Sequence, residues 1–286
     1  MNLKATGAAL LLLASCGLFA NEARAHETLK IAVADPICRE SACSCVTGIL
    51  REYGESVKLL ETRSGIKLEL SYFEDELKLQ RELKNGSFDG VIGKYSVFGG
   101  AVRDAKRKFT RLADISKPDG DFLLRGVFIV FKNSTLPDLA SAKGKALRCA
   151  FGEEDAPEKA ELAFNTLSKL GVEIPDMASR QEYFTCKEAA LALLERRADV
   201  AVISDYALQF GCIVVVGNPK DFRVIGRTDK ALPFTTFMVD NAKVSKETQT
   251  RLAAALLSIS GDATPKELMS KGFGAPQPWP DDVRLP

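Results

Sequence analysis

Hydrophobic and polar positions follow a rhythm that switches between strand-like and helix-like periods along the chain. Leu29 to Ala34 alternates and then turns apolar, which predicts a buried first strand. Asp35-Pro36 stops it, because proline has no N–H for a ladder. Val46, Ile49, Leu50, Tyr53, Val57 and Leu60 recur three and four residues apart, which predicts a helix from Ser44 to about Arg63, closed by Ser64-Gly65. Ile66 to Tyr72 alternates strictly, as a half-buried strand does. Asp75 to Lys84 reads as a second helix, ended at Asn85-Gly86 because glycine enters the left-handed region at little cost. Val91-Ile92 is a short buried strand, and the chain emerges from it at Gly93-Lys94-Tyr95-Ser96 in a glycine-rich loop. This β-α-β-α-β order calls for a parallel sheet with right-handed crossovers.

Ala101 to Arg111 reads as a charged helical piece and Lys117-Pro118-Asp119-Gly120 as a turn. Arg125 to Phe131 is an apolar strand long enough to cross between two lobes. Leu136 to Leu139 marks a short helix, and Ala146 to Phe151 another strand. Asp155 caps a helix with Pro157 in its first turn, running to about Leu170. Tyr183-Phe184 is a short strand, and Thr185 or Cys186 caps a helix to Arg197. Val200 to Ile203, Ile213 to Val216 and Phe222 to Ile225 read as strands. Pro233 to Val239 brings the chain back, Lys246 to Ser260 is a helix, and the Pro-rich tail with Trp279 lies along the surface. The helix-turn-strand-loop phrase that ends at Tyr95-Ser96 recurs at Leu191 to Tyr206. Two similar lobes facing one cleft follow: residues 26–125 and 226–286 form a discontinuous lobe one, and residues 126–225 an inserted lobe two. The predicted fold class is α/β, a two-lobed clamp in which each lobe is a mainly parallel sheet flanked by helices.

Charge and cysteines then restrict what such a clamp does. Lys4, the apolar run Ala8 to Ala14 and Ala23-Arg24-Ala25 before His26 fit a signal peptide over residues 1–25. Leu13-Ala14-Ser15-Cys16 fits the alternative, a lipid anchor at Cys16. Either places the protein in the periplasm. The 286 residues carry a net charge of +1, with no basic stripe, so nucleic acid is not an expected partner. Cys38, Cys43, Cys45, Cys149, Cys186 and Cys212 remain after processing. In an oxidising compartment they read as disulfide candidates, with connectivity open. One histidine and a lone C-x-C make a poor metal site, so neither metal nor cofactor is expected. No G-x-S-x-G, P-loop or dinucleotide fingerprint occurs, and an enzyme is not expected.

Ligands of open α/β sheets bind at the carboxyl ends of strands. That rule selects Asp35, Lys94, Tyr95, Ser96, Asp205 and Tyr206, with Asp155 at a helix start. Lys94 meets either an anionic ligand or a carboxylate across the cleft; Asp205 either faces ligand or caps the next helix. Leu83 to Ser96, Leu136 to Gly152, Ala198 to Gly211 and Thr236 to Ile259, in that order, resemble the type 2 periplasmic substrate-binding proteins of ABC transporters. Within that class they resemble the phosphate/phosphite/phosphonate-binding group. The resemblance implies a monomer that closes two lobes on a small phosphonate- or phosphate-like molecule and presents it to an ABC permease in the inner membrane. Members place a hydroxyl- and glycine-rich turn after the strand ending Phe-Gly, leading to a helix N-terminus that receives the anion. Here that turn is Glu153-Glu154-Asp155-Ala156-Pro157-Glu158, whose carboxylates repel an anion, so a cationic, neutral or metal-chelated solute stands beside the anionic one. The alternative function is a periplasmic accessory or sensor that docks a partner such as a redox enzyme.

Overall fold

Two sheets with the same strand order organise the chain. The computed structural model describes residues 27–37, 51–104, 107–152, 156–174, 180–183, 185–209, 212–213, 217–281 and 283. The segment 1–26, Cys38, Cys43, Cys45 and Asp155 lie outside them. In the first sheet, β1 (Glu27–Ala34), β2 (Ile66–Tyr72) and β3 (Gly90–Lys94) run parallel, with α1 (Gly54–Ser64) and α2 (Glu76–Asn85) in the crossovers. β3 leads into α3 (Tyr95–Asp104) and then β4 (Phe109–Ile115). β12 (Thr235–Asp240) inserts antiparallel between β3 and β4, and β13 (Phe273–Gly274) pairs with β4, giving the order β13-β4-β12-β3-β1-β2.

The second sheet repeats the plan. β7 (Cys149–Gly152), β8 (Arg180–Tyr183) and β9 (Val200–Ser204) are parallel, β6 (Gly126–Phe131) runs antiparallel beside β9, and β10 (Phe222–Arg227) lies beyond it, in the order β10-β6-β9-β7-β8. α4 (Glu161–Lys169), α5 (Cys186–Leu194) and the short α6 (Tyr206–Gln209) flank it. Between the sheets, β5 (Leu123–Leu124) and β11 (Leu232–Pro233) form a two-stranded antiparallel ribbon through which the chain leaves one lobe and returns. Each lobe therefore completes its sheet with a strand that has just come through the crossing.

Local chemistry sets the helix ends. Asp75 Oδ1 accepts from Lys78 N at 3.0 Å, and Gly86 closes α2 in the left-handed region. Thr185 and Glu188 form a reciprocal capping box on α5. Ser245 caps α7 (Lys246–Ser258). Alternation along the strands feeds two faces per sheet. Ile31, Val33 and Ile92 face α1 and α7, whereas Ala32, Ala34 and Val91 face α2 and α3. In lobe two, Phe128, Val130, Phe151 and Val202 pack with α4, and Val127, Ile129, Ala150 and Ile203 with α5. Sheets covered on both faces read as nearly continuous apolar runs for this reason. The α5-side cluster also takes in Ile37, Leu124, Leu232, Phe234 and Val283, so the ribbon, the loop after β1 and the tail share one core with lobe two.

The structure corrects several sequence expectations. Within residues 51–53 the chain is not yet helical, because Arg51 N donates to Ile37 O and α1 begins only at Gly54. Residues 109–111, read as helix, open strand β4, which pairs with β12, a partner far along the chain. Ala156 to Ala160 form a turn and α4 starts at Glu161. Ile213 lies in a turn. Cys149, Cys186 and Cys212 are buried free thiols rather than disulfides. Cys149 faces the α4 side of the lobe-two sheet, which separates it from Cys186 and Cys212; those two share the α5 side and remain unbridged thiols. Burial pushes the Cys149 and Cys212 thiols up to about 12, far from reactive thiolates. The tail folds inward: Trp279 meets the Tyr95 ring edge-on at 5.2 Å, and Val283 is buried.

Candidate ligand site between the lobes

The carboxyl ends of β3 and β9 bring charged residues of the two lobes into contact. Lys94, the last residue of β3, donates from Nζ to Glu158 Oε1 at 2.8 Å, and Ser204, the last residue of β9, donates its hydroxyl to the same oxygen at 2.7 Å. Glu158 is 0% exposed and Lys94 5%. Glycine is required twice in seating this carboxylate. A Cβ on Gly126 would stand 2.0 Å from Glu158 O, and one on Gly152 would stand 2.4 Å from the Lys159 Cβ. A second ion pair lies beside the first. Lys117, in the loop after β4, donates to Asp205 Oδ2 at 2.7 Å, and Asp121 is 3.4 Å away.

Burial acts on both carboxyls, with opposite outcomes. It pushes Glu158 up, but Lys94 and Lys159 together with the two donated hydrogen bonds outweigh it and hold the group below the ordinary Glu range. At Asp205 burial wins over Lys117, and the pKa is raised. Tyr206 stacks on Phe234 at 5.1 Å, its phenol pushed up by burial and hydrogen-bonded to Ser204. A relay Tyr206–Ser204–Glu158–Lys94 thus spans the seam. Three buried oxygens at or beside the seam have no hydrogen-bond partner among the described residues: Glu158 Oε2, Asp205 Oδ1 and Ser96 Oγ. An oxygen of this kind is costly to bury unsatisfied.

The remaining residues selected from sequence fall elsewhere. Asp35 turns into lobe one: Oδ2 accepts from Arg51 at 2.7 Å and from the Tyr53 hydroxyl at 2.5 Å, and Oδ1 from Ile37 N at 3.2 Å. Tyr95 lies under the Arg111 guanidinium at 4.8 Å and against Trp279, so the tail covers it. Sequence reasoning missed Lys117, Glu158 and Ser204 as site residues. Glu158 was one of four carboxylates in a turn, with no local signal separating it from the others. Lys117 follows strand β4, whose first three residues were read as helix and whose remainder was not assigned.

Comparison with known proteins is decisive for the family. Residues 47–277 match the model of the family described as "ABC transporter, phosphonate, periplasmic substrate-binding protein". The chain belongs to this family. It is accordingly a periplasmic substrate-binding protein of the ABC-transporter type, a class exported to the periplasm that binds small ligands and works with a membrane permease. No curated protein matches the chain. Solved structures share its fold. PhnD1 of Prochlorococcus marinus in complex with methylphosphonate aligns at TM-score 0.61 with 14% identity, over 88% of this chain and 93% of its own. A binding-protein component of an ABC phosphonate transporter from Pseudomonas aeruginosa aligns at 0.61 with 15% identity, over 88% and 82%. The aliphatic sulphonate binding protein SsuA of Escherichia coli aligns at 0.52 with 17% identity, over 81% and 74%. For this family member, the strand order β2-β1-β3-β12-β4, repeated as β8-β7-β9-β6-β10, is the two-lobed framework of the type 2 binding proteins.

Proposed function

We propose that this protein captures a small solute carrying a cationic or hydrogen-bond-donating group, together with an anionic one, in the seam between its lobes. One observation carries the reading: Glu158 Oε2 and Asp205 Oδ1 are buried acceptors with no donor among the described residues, at the same seam where Lys94 and Lys117 supply positive charge. An ammonium would satisfy the two oxygens, and an anionic end would take a share of the lysines. Lys94, Ser96, Asp205 and Tyr206 are the proposed contacts from the sequence-derived set, joined by Glu158 and Ser204. Asp35 and Tyr95 act behind them, as the anchor of Arg51 and the seat of the tail, and Asp155, outside the described residues, is kept as a proposed contact. Residues 26–125 and 226–286 move as lobe one and 126–225 as lobe two, hinged at the β5–β11 ribbon. The protein acts as a monomer without catalysis, delivered by a signal peptide removed before His26. N-terminal sequencing of the exported protein distinguishes that cleavage from acylation at Cys16.

A thermal-shift series on the purified mature protein tests the ligand class. The probes are amino acids and aminoalkylphosphonates, then diamines, then inorganic phosphate and methylphosphonate. Saturation at a hundred times Kd adds about 2.7 kcal/mol. The expected result is a shift with solutes bearing an ammonium. Equal or larger shifts with phosphate or methylphosphonate alone would sink the proposal.

A further inference from the structure

Glu158 occupies a position built for an anion. Its Oε1 receives the Lys94 ammonium from lobe one and the Ser204 hydroxyl from lobe two, at 2.8 and 2.7 Å. The Lys159 ammonium lies close enough to stabilise the same charge. An ammonium and a hydroxyl donating to one oxyanion, with a second ammonium near enough to attract it, are the kind of donor set that a phosphate, phosphonate or sulfonate oxygen requires. The carboxylate satisfying them is fully buried and tethered by its own backbone, which Gly126 allows to pass at close range, while Gly152 leaves room for the neighbouring Lys159 side chain.

We infer that Glu158 is a built-in anion that fills the oxyanion seat of the cleft, and that it is the residue excluding simple oxyanions from this protein. The inference rests on the reading that the seam is the ligand site, and deepens it. A tethered group competes at an effective concentration in the millimolar range or above. A free anion must displace it and also leave a carboxylate buried without its cation. A solute bearing an ammonium escapes that penalty, since it gives the carboxylate a new partner. The side chain therefore sets both the rejection of plain anions and the acceptance of a cationic group.

Neutralising the carboxylate should empty the seat while leaving its donors in place. Isothermal titration of wild type, Glu158→Gln and Glu158→Ser with inorganic phosphate, methylphosphonate and sulfate reads this directly. Circular dichroism confirms that each variant is folded. Oxyanion affinity should rise about tenfold or more in both variants, and the gain should vanish when Lys94→Met is combined with either. No gain in either folded variant overturns the inference, as does a gain that survives removal of Lys94. The same titrations with an aminoalkylphosphonate separate this from failure of the ligand-class proposal. If wild type ignores ammonium-bearing solutes while E158Q gains phosphate, the class is wrong and the role of Glu158 stands.

Discussion

Replacing Lys94 by methionine keeps an unbranched apolar stem in the seam and deletes the ammonium that reaches Glu158 at 2.8 Å. The carboxylate is 0% exposed and the lysine side chain 6%, so solvent screening is weak at this pair. Removing one partner of a buried pair typically costs about 3–5 kcal/mol, because the other charge stays behind. Ser204 still donates to Glu158 and Lys159 still attracts its charge, which puts the expected loss near the lower end, about 3 kcal/mol at pH 7. Two relaxations can limit it: protonation of Glu158, or opening of the seam to water. Each leaves a signature. In wild type the Glu158 pKa is held below its ordinary value, so the stability it contributes is present above the ordinary Glu range. That contribution is lost as pH falls through the folded pKa. Without Lys94, burial is opposed by less, and the folded pKa moves up. Acid then relieves the variant where it weakens wild type, and the stability gap narrows as pH drops from 7 toward 4. Urea denaturation at pH 7 and pH 5, followed through Trp279, the single tryptophan, measures the gap. Small-angle scattering of the native state detects opening. A loss under about 1 kcal/mol, the ordinary size of a substitution effect, with an unchanged pH slope and unchanged radius of gyration, would refute the reasoning.

Gly126→Ala should cost about 1–3 kcal/mol or more, because its Cβ meets Glu158 O at 2.0 Å; a thermal midpoint within a degree of wild type would show that the crossing can shift. Ending the chain at Ala275 removes the Gln277 backbone contacts to Arg111 at 2.6 Å and Asp114 at 2.7 Å, the Trp279 contact with Tyr95 and the buried Val283. Val283 alone is worth about 2 kcal/mol, so calorimetry should record a midpoint lower by at least about 4 °C, and no change would mean the tail is not bound in solution. Asp205 has the opposite pH sign to Glu158: its raised pKa means that its burial destabilises the fold above that pKa, and stability recovers as pH falls from there toward the ordinary Asp range. Asp205→Asn should flatten that part of the wild-type stability profile, and an identical profile would count against the burial of this carboxylate.

How much of this was readable in advance follows from where each signal resides. The α/β class, the parallel β1-β2-β3 unit and the recurrence of helix, turn and strand in both halves came from alternation and helical spacing, which are local. Asp75, Thr185 and Gly86 end or begin helices through bonds that reach only three or four residues, so the cap positions were legible too. Lys94, Ser96 and Asp205 could be singled out as candidates because a strand's carboxyl end is itself a sequence feature. Strand β4 was not found: its charged, weakly alternating sequence becomes a strand by pairing with β12, which arrives only after lobe two has been built. Cysteine number pointed to disulfides, but a count carries no geometry: the lobe-two sheet keeps Cys149 apart from Cys186 and Cys212, and those two lie on one face as free thiols. The turn at 153–158 showed four carboxylates as equals. Only the tertiary fold selected Glu158, by burying it where Lys94 of one lobe and Ser204 of the other converge. A charge's role is set by what surrounds it in space, and those neighbours lie 64 and 46 residues away along the chain.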